Sequence, residues 1–316
     1  MAVLTASFSP PGASNGATVS ASDTGDATAW NAVVVNGGGS AAFAYDNSHT
    51  RFGKALAAKM VSNAAASVVE WTTPYNGVTA DFGRIYLYPS AIPSAATKFV
   101  TPGSGGVTLQ IAATGALQIV NQSGVLGMSS TILSGQWYRI EWHFVFSTTT
   151  GFMEAKIFTS PDSATATETL TSASNLNNGS AGTSLLIGCN SFASWNAVWL
   201  QSAVARATAY PGPYPVSTAS PVVSGSTPVG SLLTCDGGTW NGTFTLTYQW
   251  TRDGSNIGGA TSSTYTTVSG DSGHNVGCTV TATGQQATNE TATASSNTVA
   301  VGSTSSTAPT MMFGSY

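Results

Sequence analysis

Charged side chains are scarce in this sequence of 316 residues. Asp, Glu, Lys and Arg together make up only 7% of it, whereas about 25% is usual in soluble proteins. Amphipathic helices normally carry Glu and Lys on the face that meets water, so this scarcity predicts few long helices. The surface must instead be wetted by hydroxyl and amide side chains, and Ser, Thr, Asn and Gly favour strands and turns.

Basic residues are equally few and form no cluster. The nine Lys and Arg residues are spread along the chain, and the formal net charge is −4. A surface that follows a phosphate backbone needs a stripe of positive charge, so no nucleic acid is expected as a partner. No stretch approaches the roughly 18 apolar residues of a spanning helix, so no membrane insertion is expected either.

Three cysteines are too few for a disulfide framework, and the chain has no CxxC pair of the kind that binds zinc. The sequence therefore predicts no cofactor. Calcium bound through carboxylate oxygens stays open as an alternative, because loops of β-sandwiches offer such ligands. The acidic residues in loop-like segments that would serve it are Asp23, Asp26 and Asp46.

Proline marks the main boundary in the chain. Four prolines flank two tyrosines around positions 210–221, and proline both fixes φ and removes hydrogen-bond donors, so this segment is a stiff linker. Hydrophobic residues make up 41% of the chain, enough to bury sizeable cores. We predict a first domain at 1–210, a linker at 211–219, a second domain at 220–301 and a Ser/Thr-rich tail at 302–316.

The clearest strand is Gln136–Phe146, where apolar and polar residues alternate. One face carries Tyr138, Ile140, Trp142, Phe144 and Phe146, and the other carries Arg139, Glu141 and His143. After a turn, Phe152–Phe158 returns as its partner. Many short strands at regular spacing predict an all-β, two-sheet sandwich. The other runs of strand character are Gly83–Tyr88, Gly106–Ile111, Leu117–Asn121, Ser184–Gly188 and Ala197–Ala205.

Residues 52–72 are ambiguous, because Ala, Lys, Leu and Met are good helix formers. Gly53 and the pair Ser62-Asn63 divide this segment into runs of strand length. We predict two strands, Phe52–Met60 and Ala66–Thr72, rather than a helix.

Four titratable residues on the central hairpin are the best candidates for catalysis. Glu141 and His143 share a strand face, with Glu154 and Lys156 on the neighbouring strand. Two carboxylates on adjacent strands could serve a glycosidase. A solvated outer face with a cross-strand ion pair explains the same residues, and we adopt that interpretation, so no enzyme activity is expected.

Aromatic residues near the end of the first domain are candidates for sugar stacking. Sandwich lectins bind sugars at one rim, with apolar ring faces against the pyranose. The residues singled out for this role are Trp195, Trp199 and Tyr210, with burial in the core as the alternative.

The central hairpin resembles a known family. Ser134-Gly-Gln-Trp-Tyr-Arg-Ile-Glu-Trp-His-Phe, followed by Gly151-Phe-Met-Glu-Ala-Lys-Ile-Phe, resembles the hairpin of concanavalin-like and laminin-G-like jelly rolls. The run from Ala203 to Tyr214 is similar to the closing strand and Gly-Pro-Tyr exit of such domains in actinobacteriophage minor tail proteins. The paired-acid strand pattern of the related glycosidases is missing. Many relatives also carry an acidic residue before the last strand, where Val198–Gln201 has none.

The second domain resembles a bacterial immunoglobulin-like repeat across nearly all of 218–301. The motifs are Leu-Leu-Thr-Cys235, Tyr-Gln-Trp250, Asp-Gly254 and the run from Asp271 to Cys278. The resemblance implies that Cys235 and Cys278 lie on facing strands under Trp250, either as a disulfide or as two buried thiols.

These two resemblances imply a structural or adhesion component of a tailed-phage virion, a minor tail protein. The expected partners are other virion subunits, further copies in a homo-oligomer and host surface glycans, and the expected location is the particle surface. The start of the chain lacks the features of a secretory signal, which fits release by host lysis. Alternatives are a head decoration protein or fibre, and a secreted bacterial lectin or glycan hydrolase. The tail residues expected to dock onto a neighbouring subunit are Met311, Met312, Phe313 and Tyr316.

Overall fold

The computed structural model shows an all-β protein. It describes residues 4–6, 14–19, 32–35, 42–52, 54, 57–62, 67–71, 75–103, 106–189 and 195–302. Within these ranges the only helical element is a short 3₁₀ turn, Ser269–Asp271. No helix in the described part of the chain is long and apolar enough to cross a bilayer. The predicted fold class is confirmed, and the cause is the scarcity of Glu and Lys for the wet face of a helix.

The chain divides into two compact units. Unit 1 comprises residues 1–214 and 284–290, and unit 2 comprises 215–283 and 291–316. The division after Tyr214 lies within the proline-rich segment 211–219. The tail residues 303–316, including the four proposed for docking, lie outside the described part of the chain.

The described residues of unit 1 form fifteen strands in two antiparallel sheets. The strands are β1 Leu4–Ala6, β2 Ala32–Val35, β3 Ala42–Asp46, β4 Ala57–Ser62, β5 Ser67–Trp71, β6 Ala80–Pro89, β7 Thr97–Pro102, β8 Thr108–Ile111, β9 Ala116–Asn121, β10 Gly124–Ile132, β11 Tyr138–Val145, β12 Phe152–Phe158, β13 Glu168–Thr171, β14 Leu185–Cys189 and β15 Trp195–Ala207.

The two sheets of unit 1 form the predicted jelly-roll sandwich. The first sheet has the order β13-β12-β11-β6-β15-β4-β3, with β1 also paired to β15. The second has the order β10-β9-β8-β7-β14-β5-β2. Alternate side chains of both sheets, such as Ile140 and Trp142 from β11 and Leu109 from β8, meet in one buried core.

A buried carboxylate anchors the centre of this core. Asp81 on β6 accepts hydrogen bonds from Trp142 Nε1 at 2.7 Å and from Tyr75 Oη at 2.9 Å. Burial raises the pKa of Asp81, and the hydrogen bonds from Trp142 and Tyr75 oppose that rise. Gly83 is required here because a Cβ at this position would overlap the indole of Trp142.

The segment 52–72 forms strands, as predicted, but the first begins later than expected. β4 starts at Ala57 rather than at Phe52. Phe52 has a φ of 59°, a left-handed conformation that strands exclude, and Lys54 N donates to Arg51 O at 3.0 Å to close a turn.

Unit 2 is a smaller sandwich of short strands. They are β16 Ser217–Ala219, β17 Val223–Gly225, β18 Leu232–Cys235, β19 Thr239–Trp240, β20 Thr245–Arg252, β21 Ser255–Asn256, β22 Thr264–Thr266, β23 Asn275–Thr283, β24 Thr291–Ser295 and β25 Val299–Ala300. β20 and β23 pair along eight residues, and β17-β18-β22 form the opposing sheet.

The core of unit 2 contains the tryptophan and the two cysteines singled out in the sequence. Trp250 is fully buried, and its indole N–H donates to Ser262 O at 2.8 Å. Cys235 and Cys278 are buried as free thiols in the same cluster. Burial raises the pKa of Cys278 to about 12, with a further contribution from Cys235. The Cys278 thiol is therefore held in its unreactive protonated form.

Candidate functional site

Charge in this chain is concentrated on one face of one sheet. The outer face of the first sheet of unit 1, the side turned away from the core, carries or contacts half of all charged residues. These are six of the nine cations, Arg51, Lys54, Lys59, Arg84, Arg139 and Lys156, and five of the 13 acids, Asp46, Glu141, Glu154, Asp162 and Glu290.

The centre of this face is buried, so the expectation of a solvated outer face is wrong. Arg84 is 0% exposed, Arg139 1% and Glu141 2%. They are neighbours across strands, since Glu141 on β11 stands opposite Arg84 on β6. Alternation correctly places these residues on one face, but two further segments of unit 1, Thr208–Tyr214 and Gly284–Glu290, cover that face.

Buried charges on this face occur in pairs of opposite sign. Arg139 Nε lies 3.1 Å from Glu141 Oε1, and Arg84 Nη2 forms an ion pair with Glu290. Burial raises the pKa of Glu141, and the positive charges of Arg139 and Arg84 oppose that rise. A buried charge without its partner would be costly, so the Arg84–Glu290 pair holds the segment that carries Glu290 against the sheet.

The first covering segment, Thr208–Tyr214, is a strap across β6, β11 and β12. Arg84 Nη1 donates to Gly212 O at 2.8 Å, and Tyr214 N donates to Tyr86 Oη at 2.7 Å. Tyr210 donates its hydroxyl hydrogen bond to Glu154, and this contact together with burial raises the pKa of Tyr210.

Tyr210, singled out for sugar stacking, is therefore engaged within unit 1. Lys156 Nζ lies 3.5 Å from the centroid of the Tyr210 ring. Phe82 packs edge-on against Tyr210, with 5.0 Å between ring centroids. The two carboxylates considered for catalysis, Glu141 and Glu154, both have partners in this assembly.

His143 is packed rather than poised for acid–base chemistry. Its ring stacks on Phe82 with 3.8 Å between centroids and an interplanar angle of 6°. Burial lowers its pKa, and the negative charge of Glu154 opposes this. The neutral imidazole therefore serves as an aromatic filler between Phe82 and the edge-on ring of Phe152.

Trp199 does not present an open ring face, which corrects its assignment to sugar stacking. It is only 5% exposed. His49 lies 4.0 Å from it between ring centroids, and Lys59 Nζ lies 5.2 Å from its ring. Trp195 forms the start of β15, but its side chain lies outside the described part of the chain. The half-exposed aromatic of this cluster is Tyr88, which the sequence analysis missed because it reads as an ordinary strand residue.

Asp46 is used for local structure. It accepts hydrogen bonds from Ser48 N at 2.8 Å and Trp199 Nε1 at 2.9 Å. Burial would raise its pKa, but hydrogen bonds from Ser48 and Trp199 and the charge of Lys59 lower it to about 2. Asp23 and Asp26 lie outside the described residues. Within the described ranges, no group of three or more His, Cys, Asp or Glu residues is placed to hold a metal ion.

An open pocket lies beside the strap, and it is the best candidate for a binding site. It is a shallow depression: the empty space is about 270 Å³ when the open solvent above it is counted, but the cavity itself is only about 10 Å³. Its lining residues come from four distant parts of the sequence, all within unit 1: Phe52, Lys54, Gln201, Ser202, Tyr214, Asn289 and Glu290.

The turn at residues 51–54 builds one wall of this pocket. Arg51 N donates to Gln201 Oε1 at 2.8 Å, which ties the turn to β15. The left-handed backbone at Phe52 then directs its ring onto Tyr214, with 4.3 Å between centroids and an interplanar angle of 23°. The wall is thus aromatic.

Neutral polar groups and one carboxylate form the rest of the pocket. Ser202 lies under it, where both its hydroxyl and Arg84 Nη2 bind Glu290. Gln201 and Asn289 add amide groups. Gln201, Ser202 and Tyr214 are buried, so the accessible lining is the outer side of Phe52 together with Lys54 and Asn289. An aromatic side chain beside an amide and an ammonium group is suited to contact with a small polyhydroxylated ligand. No sequence motif marks these residues, because their contact depends entirely on folding.

Comparisons with known proteins give a limited likeness. No family model matches the chain, and no curated protein matches it. Similar solved structures include the catalytic domain of a glycoside hydrolase family 131 protein from Coprinopsis cinerea, with 10% identity, 52% of this chain and 76% of that chain covered, and a TM-score of 0.37. Domain 4 of AbnA, an extracellular arabinanase from Geobacillus stearothermophilus in complex with arabinotriose, has 14% identity, 56% and 82% coverage, and a TM-score of 0.36. A structure of botulinum neurotoxin type C, whose cell entry depends on two ganglioside molecules, has 10% identity, 80% and 68% coverage, and a TM-score of 0.37. At these identities and TM-scores the likeness carries no argument about function.

Proposed function

We propose that this protein is a non-enzymatic, glycan-binding adhesion component of a tailed-phage virion, most specifically a minor tail protein. The observation that carries the glycan-binding part is the pocket of unit 1, with its wall of Phe52 and Tyr214 and its amide and hydroxyl groups. The virion part is supported by the sequence resemblance of the hairpin and of the exit segment 203–214.

The composition of the chain supports adhesion by many weak contacts. Because only 7% of the residues in the whole chain are charged, its surface relies on neutral hydrogen-bonding groups, which match sugar hydroxyls. A single small pocket binds weakly, but many copies on one particle raise the effective concentration and therefore the avidity.

The arrangement of the titratable groups supports a binding role over catalysis. Glu141 is buried against Arg139, and Glu154 accepts the hydroxyl hydrogen bond of Tyr210. A glycosidase needs two carboxyl groups that face the scissile bond, with one free to donate a proton. Here the strap covers the central carboxylate.

Altering the pocket wall is expected to weaken glycan binding by at least about tenfold, equivalent to about 1.4 kcal/mol. The test variant is Phe52→Gly with Asn289→Ala. Glycine suits the left-handed backbone at position 52, so the fold is retained while the aromatic wall is lost. Binding is measured on a glycan array and then by calorimetry. A matched control is Ile92→Ala with Asn76→Ala, two exposed residues outside the pocket. If wild type binds no glycan, or if both double variants weaken binding equally, glycan binding through this pocket is ruled out.

Antibody labelling of phage particles tests the virion role. Gold-labelled antibody against this chain is expected to decorate purified particles at the tail, as seen by negative-stain electron microscopy. Label on the head would favour the decoration-protein alternative. Particles without label, from a lysate in which the protein is abundant, would reject the virion assignment.

A further inference from the structure

We propose that the pocket of unit 1 selects glycans that carry an anionic group, a carboxylate or a phosphate, and that the ammonium group of Lys54 binds this anion. The inference rests on the proposed glycan-binding function and specifies its ligand class. It follows from how charge is distributed around the pocket.

The negative charge in the pocket is neutralised from behind. Glu290 is the one carboxylate among the described lining residues. Its Oε1 accepts hydrogen bonds from both Arg84 and Ser202. Its side chain is 9% exposed, and Arg84 is fully buried beneath it. An approaching ligand therefore meets little net negative charge from Glu290.

Lys54 has no such counter-charge. Among the residues that the structure describes, no carboxylate lies within ion-pair distance of its Nζ, whereas Lys59 and Lys156 on the same face pair with Asp46 and Glu154 at 3.6 and 3.5 Å. The Lys54 Nζ lies 5.8 Å from the centroid of the Tyr214 ring, over the aromatic wall. Because Arg84 behind the lining already neutralises Glu290, the charge of Lys54 leaves this place with one positive charge in excess.

The chemistry of lysine defines the ligand class. A compact ammonium group binds a carboxylate or a phosphate about equally well, whereas a planar guanidinium favours bidentate pairing. Gln201 already bonds the backbone of Arg51, and the Tyr214 ring is buried under Phe52. The sugar itself therefore meets the exposed Asn289 side chain and the outer side of Phe52, and an acidic group on it adds the charge contact with Lys54.

The test uses the full-length protein and an array printed with neutral, carboxylated and phosphorylated glycans. The best acidic binder is then compared with its neutral counterpart, prepared by carboxyl reduction or by phosphatase treatment. We expect the acidic form to bind at least about tenfold more tightly than the neutral form. Binding of the acidic form should weaken as the salt concentration rises from about 50 to about 300 mM, because salt screens exposed charges. Lys54→Gln should abolish the preference. Lys98→Gln, which alters an exposed lysine on β7 of the second sheet, should leave it unchanged.

The outcomes separate this inference from the function on which it rests. Binding of neutral glycans alone, or a preference for acidic glycans that survives Lys54→Gln, would overturn the inference and leave glycan binding intact. Absence of any bound glycan would reject the proposed function, and the inference with it. The ranking of carboxylated against phosphorylated binders identifies the source of the anion.

Discussion

Replacing Glu290 by alanine is expected to lower the free energy of unfolding of unit 1 by about 3–5 kcal/mol. The reason is the environment of Arg84, which is fully buried on the outer face of the first sheet and is paired with Glu290. Without that carboxylate, the guanidinium stays buried with hydrogen bonds to Gly212 O and Ser202 but no directly bonded carboxylate, and Glu141 on the neighbouring strand is already paired with Arg139. The loss is measured by urea denaturation, with hydrogen exchange of the β6 peptides showing that it occurs in unit 1.

Two further variants decide whether the isolated charge is the cause. In the double variant Arg84→Met with Glu290→Leu no charge is left buried alone, so most of the lost stability should return. Glu70→Ala, a half-buried carboxylate of β5 with no ion pair among the described residues, should change stability by only about 0.5 kcal/mol. If Glu290→Ala costs no more than Glu70→Ala, the ion pair does not stabilise the outer face.

Asp271→Asn is expected to destabilise unit 2 by about 2–4 kcal/mol at neutral pH. The carboxylate is fully buried and accepts hydrogen bonds from Val268 N at 2.7 Å and Tyr265 Oη at 2.8 Å, and from Arg252 Nε at 2.7 Å. An asparagine side chain replaces one of the two acceptor oxygens by an NH₂ group, so a donor would face the donors that now bond to Asp271. The readout is urea denaturation, with hydrogen exchange of the β20 and β23 peptides reporting on unit 2.

The same substitution predicts a pH dependence with a definite sign. Burial would raise the pKa of Asp271, but hydrogen bonds from Val268, Arg252 and Tyr265 lower it overall. An acid with a lowered folded-state pKa contributes its full stability above its unfolded pKa of about 3.9, and loses it as the pH falls towards the folded value. The difference in the free energy of unfolding between wild type and Asp271→Asn should therefore be large at pH 7 and small below about pH 4.

The control for this prediction is Asp253→Asn, on the exposed turn between β20 and β21. Asp253 pairs with His274, and both side chains are about half exposed, so water screens the interaction and the loss should be much smaller. If the difference in the free energy of unfolding between wild type and Asp271→Asn stays constant from pH 7 to pH 3, the carboxylate charge does not contribute to the stability of unit 2.

The central hairpin shows how far residue patterns reach. Alternation along Gln136–Phe146 correctly identified the core face that contains Trp142. It also placed Arg139 and Glu141 together on the opposite face. Alternation did not predict that these two side chains are buried. A period of two residues identifies which side chains share a face, but not whether a second layer covers that face.

The candidate sugar-stacking residues were misjudged for a related reason. Trp199 and Tyr210 were chosen by residue type, and residue type does not distinguish an open aromatic face from a packed one. In the folded unit, His49 and Lys59 lie against Trp199, and Lys156 lies against Tyr210.

By itself, the sequence determined the all-β class and the core-facing side of the main strands, which depend on local composition and on spacing along one or two strands. Its resemblance to an immunoglobulin-like repeat implied the burial of Trp250 with its two cysteines. Only the tertiary structure decided that Arg84, Arg139 and Glu141 are buried on the outer face, and that Lys54, Tyr214 and Asn289 line one pocket. Those residues lie far apart in the chain, so their contact depends on how folded segments pack and leaves no periodic signal in the sequence.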